Sequence, residues 1–159
     1  MKPPPTPTVE IPASGAQLAT LCGAATLLAC WPFEKDAARA IRMTVPAARA
    51  GRFSACMSKV THEHFDSLGL WPNAPWSAEL LAMRATTSVR LTFSALQRAT
   101  AVAALEAALA EFSSSWEEFL TVAPGGLWGY EIAPPDVASL TELLRSAACK
   151  SPMQHQAPR

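Results

Sequence analysis

Apolar residues along this chain recur mostly at three- and four-residue intervals, the spacing that gathers them on one side of an α-helix. Residues 16–30 are alanine-rich and apolar on most sides, which predicts a buried first helix ended by Pro32. A short second helix is predicted over 33–43. Pro46 suits the start of a third, which should run to Leu68, where Gly69 can take a left-handed cap. On this third helix Phe53, Met57, Val60, His64 and Leu68 fall on one face, and Arg49, Arg52 and Lys59 line another.

Residues 78–120 contain neither proline nor glycine, and Ser77 is a fitting N-cap. Two apolar stripes run through the stretch: Leu81, Ala85, Val89, Leu96, then Val102, Leu105, Leu109, Phe112, Trp116, Leu120. Their phases differ by roughly 120–140°, so a kink or tight turn is expected near residues 97–100. Residues 88–93 alternate polar and apolar, as a half-buried strand would. The flanks continue a helical stripe and no turn residues bound the segment, so it is assigned to helix. Pro124, Gly125 and Gly126 mark a turn, with a small hairpin expected near 121–133. A last helix carries Val137, Leu140 and Leu144 on one side, with Asp136 at its start and Arg145 and Lys150 near its end, as the helix dipole favours.

The expected architecture is a mainly α-helical single domain, a bundle of about five or six helices. Residues 1–15 read as a disordered, proline-rich leader, 16–149 as the helical domain and 150–159 as a flexible tail. No internal repeat or linker is evident at this level.

Composition narrows the function classes. Of 159 residues, 50% are hydrophobic and only 16% charged, with a formal net charge of zero. That excludes a wholly disordered chain and a strongly basic nucleic-acid binder. The four cysteines, Cys22, Cys30, Cys56 and Cys149, form no C-x-x-C pair and read as reduced thiols in a cytoplasmic protein. Leu27-Leu28-Ala29-Cys30 resembles a lipoprotein processing box, but the proline-rich flank with Glu10 is unlike the short, positive start of a signal peptide.

Candidate chemistry is sparse. His62, Glu63, His64 and Asp66 cluster, yet on a helix His62 and His64 point about 200° apart and cannot clamp one ion, while His62 and Asp66 do share a face. Cys56 and His62 lie nearly two turns apart on a helix, roughly 9 Å along the axis, too far for a direct nucleophile–base pair. Glu111, Glu117 and Glu118 read as a solvated helix face. There is no nucleophile elbow and no phosphate-binding glycine loop. No catalytic residue, metal or cofactor is expected.

Charge distribution says more. Residues 32–100 hold nine Lys/Arg against five Asp/Glu, and 101–148 one against seven. Arg39, Arg42, Arg49, Arg52 and Lys59 follow one another with no acidic residue among them. Trp71, Trp76 and Trp128 fall in loops, where tryptophan commonly anchors a partner. The expected function is therefore a non-catalytic accessory, adaptor or assembly protein. It would bind a protein partner, or itself, through apolar helix surface, the loop tryptophans Trp71, Trp76 and Trp128, and Arg49 and Arg52. The alternative is a small helical regulator touching nucleic acid through the basic 39–59 segment. Membrane association is disfavoured because the polar side of the 101–120 segment is acidic.

Overall fold

The computed structural model describes residues 3–4, 6–70, 78–114, 117–119 and 134–147. Its elements run β1 (Thr8–Ser14), α1 (Gly15–Cys30), α2 (Asp36–Met43), α3 (Ala47–Ser67), α4 (Ala78–Ala85), β2 (Ser88–Ser94), α5 (Ala95–Phe112) and α6 (Pro134–Ser146). The chain is mainly helical, with one small two-stranded antiparallel sheet. The expected helices at 16–30, after Pro46 and around Val137, Leu140 and Leu144 are present, and Gly69 does take a positive φ of 68°.

Two segments depart from the expectation together. Residues 8–14, assigned to a disordered leader, form β1, and residues 88–93, assigned to helix, belong to β2. Each is too short a strand to persist alone, and each was read without its partner; paired, they bury Val9, Ile11, Ala13, Leu91 and Phe93 on one face. Glu10, Pro12, Arg90 and Thr92 alternate onto the exposed face, as the two-residue period of a strand requires. Pro12 is tolerated because a two-stranded ribbon consists of edge strands. The helical stretch expected over 78–120, with a kink or tight turn near 97–100, is instead interrupted by β2, and helix resumes at Ala95.

The ribbon exposes an internal repeat that residue-by-residue reading missed. Val9, Ser14, Gln17, Ala19, Thr20 and Ala24 recur as Val89, Ser94, Gln97, Ala99, Thr100 and Ala104, each 80 positions later. The structure repeats with the sequence. Ser14 and Ser94 each cap a helix, accepting from Gln17 N and Gln97 N at 3.1 Å. Gln17 and Gln97 reach back to Ser14 N and Ser94 N at 2.9 Å, completing two identical capping boxes. Buried Thr20 and Thr100 donate to Ala16 O and Leu96 O at 2.8 and 2.9 Å. Ile11 pairs with Leu91, its own counterpart, so an approximate two-fold axis passes through that pair. The flanking pairs obey it: Val9 faces Phe93, and Ala13 faces Val89.

The two helices that leave the ribbon make the centre of the core. α1 is buried on most sides, through Leu18, Leu21, Ala24, Ala25, Leu27 and Leu28, and packs between α3 and α5. The Leu27–Cys30 box therefore sits at the end of a core helix, with Cys30 Sγ donating to Thr26 O at 3.1 Å. On α3 the buried positions are Ala50, Phe53, Met57, Thr61 and Phe65. The face is thus rotated from the expected one, leaving Val60 and His64 at its margin and Leu68 exposed. No helix among the described residues is long and apolar enough to cross a membrane.

Glu111, expected on a solvated face, is buried and does structural work across the core. The N-cap of α2 has no side-chain cap of its own. Glu111 supplies one from α5, accepting from Glu34 N and Lys35 N at 2.9 Å each and from Trp31 Nε1 at 3.2 Å. Burial alone pushes its carboxyl up, but the two amides, the indole and the Lys35 ammonium outweigh it and hold the group below its ordinary 4.5.

Two predictions follow from this frame. A group with a depressed folded value contributes stability that is complete above its unfolded value and lost as pH falls through the folded one. Wild-type stability should therefore fall on acidification below about pH 4.5, while Glu111→Gln flattens that limb and lowers neutral-pH stability by about 2 kcal/mol in urea melts. Gly15 donates to Thr87 O at 2.9 Å, and a Cβ there would stand 1.9 Å from Arg84 O. Gly15→Ala should cost roughly 2–3 kcal/mol by the same melts, whereas the reciprocal Ala95→Gly should cost under about 1 kcal/mol.

Candidate functional site

Residues of α3 at positions i, i+3, i+4 and i+7 share one side of the helix. Arg49, Arg52, Phe53 and Cys56 have that spacing, and they form one wall of a groove whose other wall is the first turn of α5, Leu96, Gln97 and Thr100. Phe53 makes the floor; it is buried and its ring lies 5.9 Å from that of Phe93, inside the ribbon. Leu96 is 55% exposed, an unusual position for a leucine at the mouth of a cavity. The cavity measures about 220 Å³. That is below the roughly 300–1,000 Å³ of small-molecule sites.

The polar groups of the groove divide sharply. Gln97 Oε1 is occupied by Ser94 N, and the Thr100 hydroxyl by Leu96 O. Arg49 is half-buried, and its Nε is shielded from solvent without a hydrogen-bond partner. A buried donor left unsatisfied costs about 1–3 kcal/mol, so an acceptor brought into the groove recovers what the free protein lacks. Arg52 stands exposed beside it.

The rest of the basic segment is committed locally. Arg39 pairs with Asp36, Arg42 Nη1 donates to Val45 O at 2.8 Å, and Lys59 lies 3.9 Å from Glu63. Arg49 and Arg52 make no ion pair with a described residue. The structure thus brings together the two expected arginines but breaks up the five-cation surface. Trp71, Trp76 and Trp128 lie outside the described residues, as do the expected hairpin and tail.

The histidine cluster is spread out. His62 and Asp66 are exposed, whereas His64 is half-buried, its Nε2 3.0 Å from Thr87 Oγ1 and its ring edge-on to Phe65 at 5.0 Å. Burial lowers the His64 pKa from 6.5, and the residue serves to tie α3 to the turn before β2. Cys22, at the α1–α3 contact, has its thiol pushed up by burial, with Ser58 Oγ 3.9 Å away. Among the described residues no group of three or more His, Cys, Asp and Glu side chains could hold a metal ion.

The chain matches no protein-family model, and no curated protein and no solved structure is significantly similar to it.

Of the residues lining the groove, Arg49 and Arg52 are named by the sequence as candidates and those of α5 are not. Leu96 had been placed on a core stripe because the helix start at Ala95 went unrecognised; the Ser94-x-x-Gln97 signature was the available signal. The two walls should behave differently when truncated. Phe53→Ala should cost about 3 kcal/mol of stability, while Leu96→Ser should stay within about 0.5 kcal/mol of wild type, measured by urea unfolding.

Proposed function

We propose that this protein is a non-catalytic accessory protein that binds a protein partner, and that the α3–α5 groove is where the partner docks. The observation that carries the reading is Arg49, a guanidinium nitrogen buried without a hydrogen-bond partner in the cleft that exposed Leu96 also lines. Soluble domains seldom leave both an apolar residue and a shielded donor unsatisfied at one place without something to cover them. An acidic protein segment fits better than a nucleic-acid backbone. Three of the five cations in the 39–59 segment already have local partners, and the exposed ribbon face carries Glu10, 3.3 Å from Arg90.

The test is affinity capture from native extract with tagged wild type and with the double variant Arg49→Glu/Arg52→Glu. A stoichiometric protein partner should be recovered with wild type and lost with the variant, whose thermal unfolding midpoint should be unchanged. Recovery of nucleic acid, released steeply by salt, would transfer the reading to a nucleic-acid regulator. A partner retained by the variant would move docking away from the groove.

A further inference from the structure

Of the eight residues of α2 only Ala38 is buried; Asp36, Ala37, Arg39, Ala40 and Met43 are exposed, and Ile41 and Arg42 are half-buried. A helix this short is marginal in water on its own, and one buried methyl group does little to seat it. Its firm attachments lie outside it. Phe33 and Val45 are buried on either side, and just ahead of its first turn the Glu111 carboxylate of α5 accepts from Trp31 Nε1, Glu34 N and Lys35 N. The polar contacts within the segment do not reach the core: Arg39 pairs with Asp36, and Arg42 Nη1 donates to Val45 O at 2.8 Å. Among the described residues, the charged groups lining the cleft around Glu111 are Glu34 and Lys35 before α2 and Glu118 beyond α5, and Lys35 Nζ donates to Ser114 Oγ at 2.9 Å.

We infer that α2 is a gated segment: the ionised carboxylate of Glu111 keeps it wound and seated on α5, and without that charge α2 unwinds between Phe33 and Val45 while the ribbon, α1, α3 and α5 stay folded. Both carboxylate oxygens are in use, Oε1 by Lys35 N and Oε2 by Glu34 N and Trp31 Nε1. A carboxamide or a protonated carboxyl turns a donor toward one of these donors, so neither can replace the anion. Unwinding also frees Arg39 and Arg42, because each is held by a partner three residues away along the helical turn. The segment thereby changes from a helix with committed arginines to a loop with two free ones, ahead of Arg49 and Arg52 in the chain. The inference does not depend on the α3–α5 groove being a docking site.

The test is native-state hydrogen exchange of the full chain, read peptide by peptide by mass spectrometry, for wild type, Glu111→Gln and Phe53→Ala. In wild type below the urea transition, the amides of residues 34–44 should exchange through an opening of their own, about tenfold or more faster than those of α1 and nearly independent of urea. In Glu111→Gln the same amides should approach the rate of an unstructured chain, while those of α1 and α3 stay protected by about a hundredfold or more. The urea slope of the variant should fall, since part of the surface is already exposed before the transition. Phe53→Ala, which weakens the core elsewhere, should leave residues 34–44 at their wild-type rate. Wild-type exchange of 34–44 that tracks the global transition, full protection of 34–44 in Glu111→Gln, equal loss of protection in α1 and α3, or unwinding of α2 by Phe53→Ala would each overturn the inference.

Discussion

A two-stranded ribbon is marginal in water on its own, so β1 and β2 persist because α1 and α5 bury their shared inner face. The dependence runs both ways. Each helix starts where a strand ends, at Ser14 and Ser94, and each start is closed by the same reciprocal pair of serine and glutamine hydrogen bonds. Strand register therefore determines where both central helices begin and how they face each other. The pairing of Ile11 with Leu91 places the axis of that arrangement, and α3 and α6 pack mainly onto the helices it positions.

Duplication explains the shape of the core but not its polar anchors, which differ between the halves. Glu111 has no acidic counterpart, because the position 80 residues earlier is Trp31, the residue whose indole donates to it. The approximate axis thus relates one side chain to its own hydrogen-bond partner. Arg84 is similarly unique: fully buried, it donates from Nε to Leu70 O and lies with its guanidinium 5.0 Å from the Phe65 ring centroid. Both anchors reach from the second half to the first, one with a carboxylate and the other with a guanidinium. Near-symmetric backbone units consequently leave non-equivalent surfaces, and the α3–α5 groove lies on one of them.

Helices were legible in the sequence wherever a stripe and its punctuation agreed, as at Pro46, Gly69 and the Val137–Leu140–Leu144 stripe. The strands were not, because each depends on a partner far away in sequence and no turn residues bound the segment that became β2. Proline content made β1 resemble a leader, although Val9, Ile11 and Ala13 alternate correctly. The rotated face of α3 has a related cause. Thr61 is buried because its hydroxyl donates to Met57 O at 2.6 Å, which lets a polar residue occupy a core position that apolar periodicity alone would not assign. Arg49 and Arg52 were legible as a basic pair. That Arg49 Nε is shielded was not, since burial of one atom of a long side chain depends on the neighbouring helix.

The separation between the paired strands also has a consequence for how this chain comes off the ribosome. β1 is made well before β2, since the register partner of Thr8 is Ser94. At the usual 5–20 residues per second, β1 waits about 4–16 s for β2 to be synthesised, with the inward side chains of Val9 and Ile11 lacking their cross-strand partners. During that interval α1 and α3 can dock, because their contact lies entirely within the first part of the chain. Until the second half arrives, the nascent chain is therefore a helical pair joined to a strand whose apolar face is still unmatched.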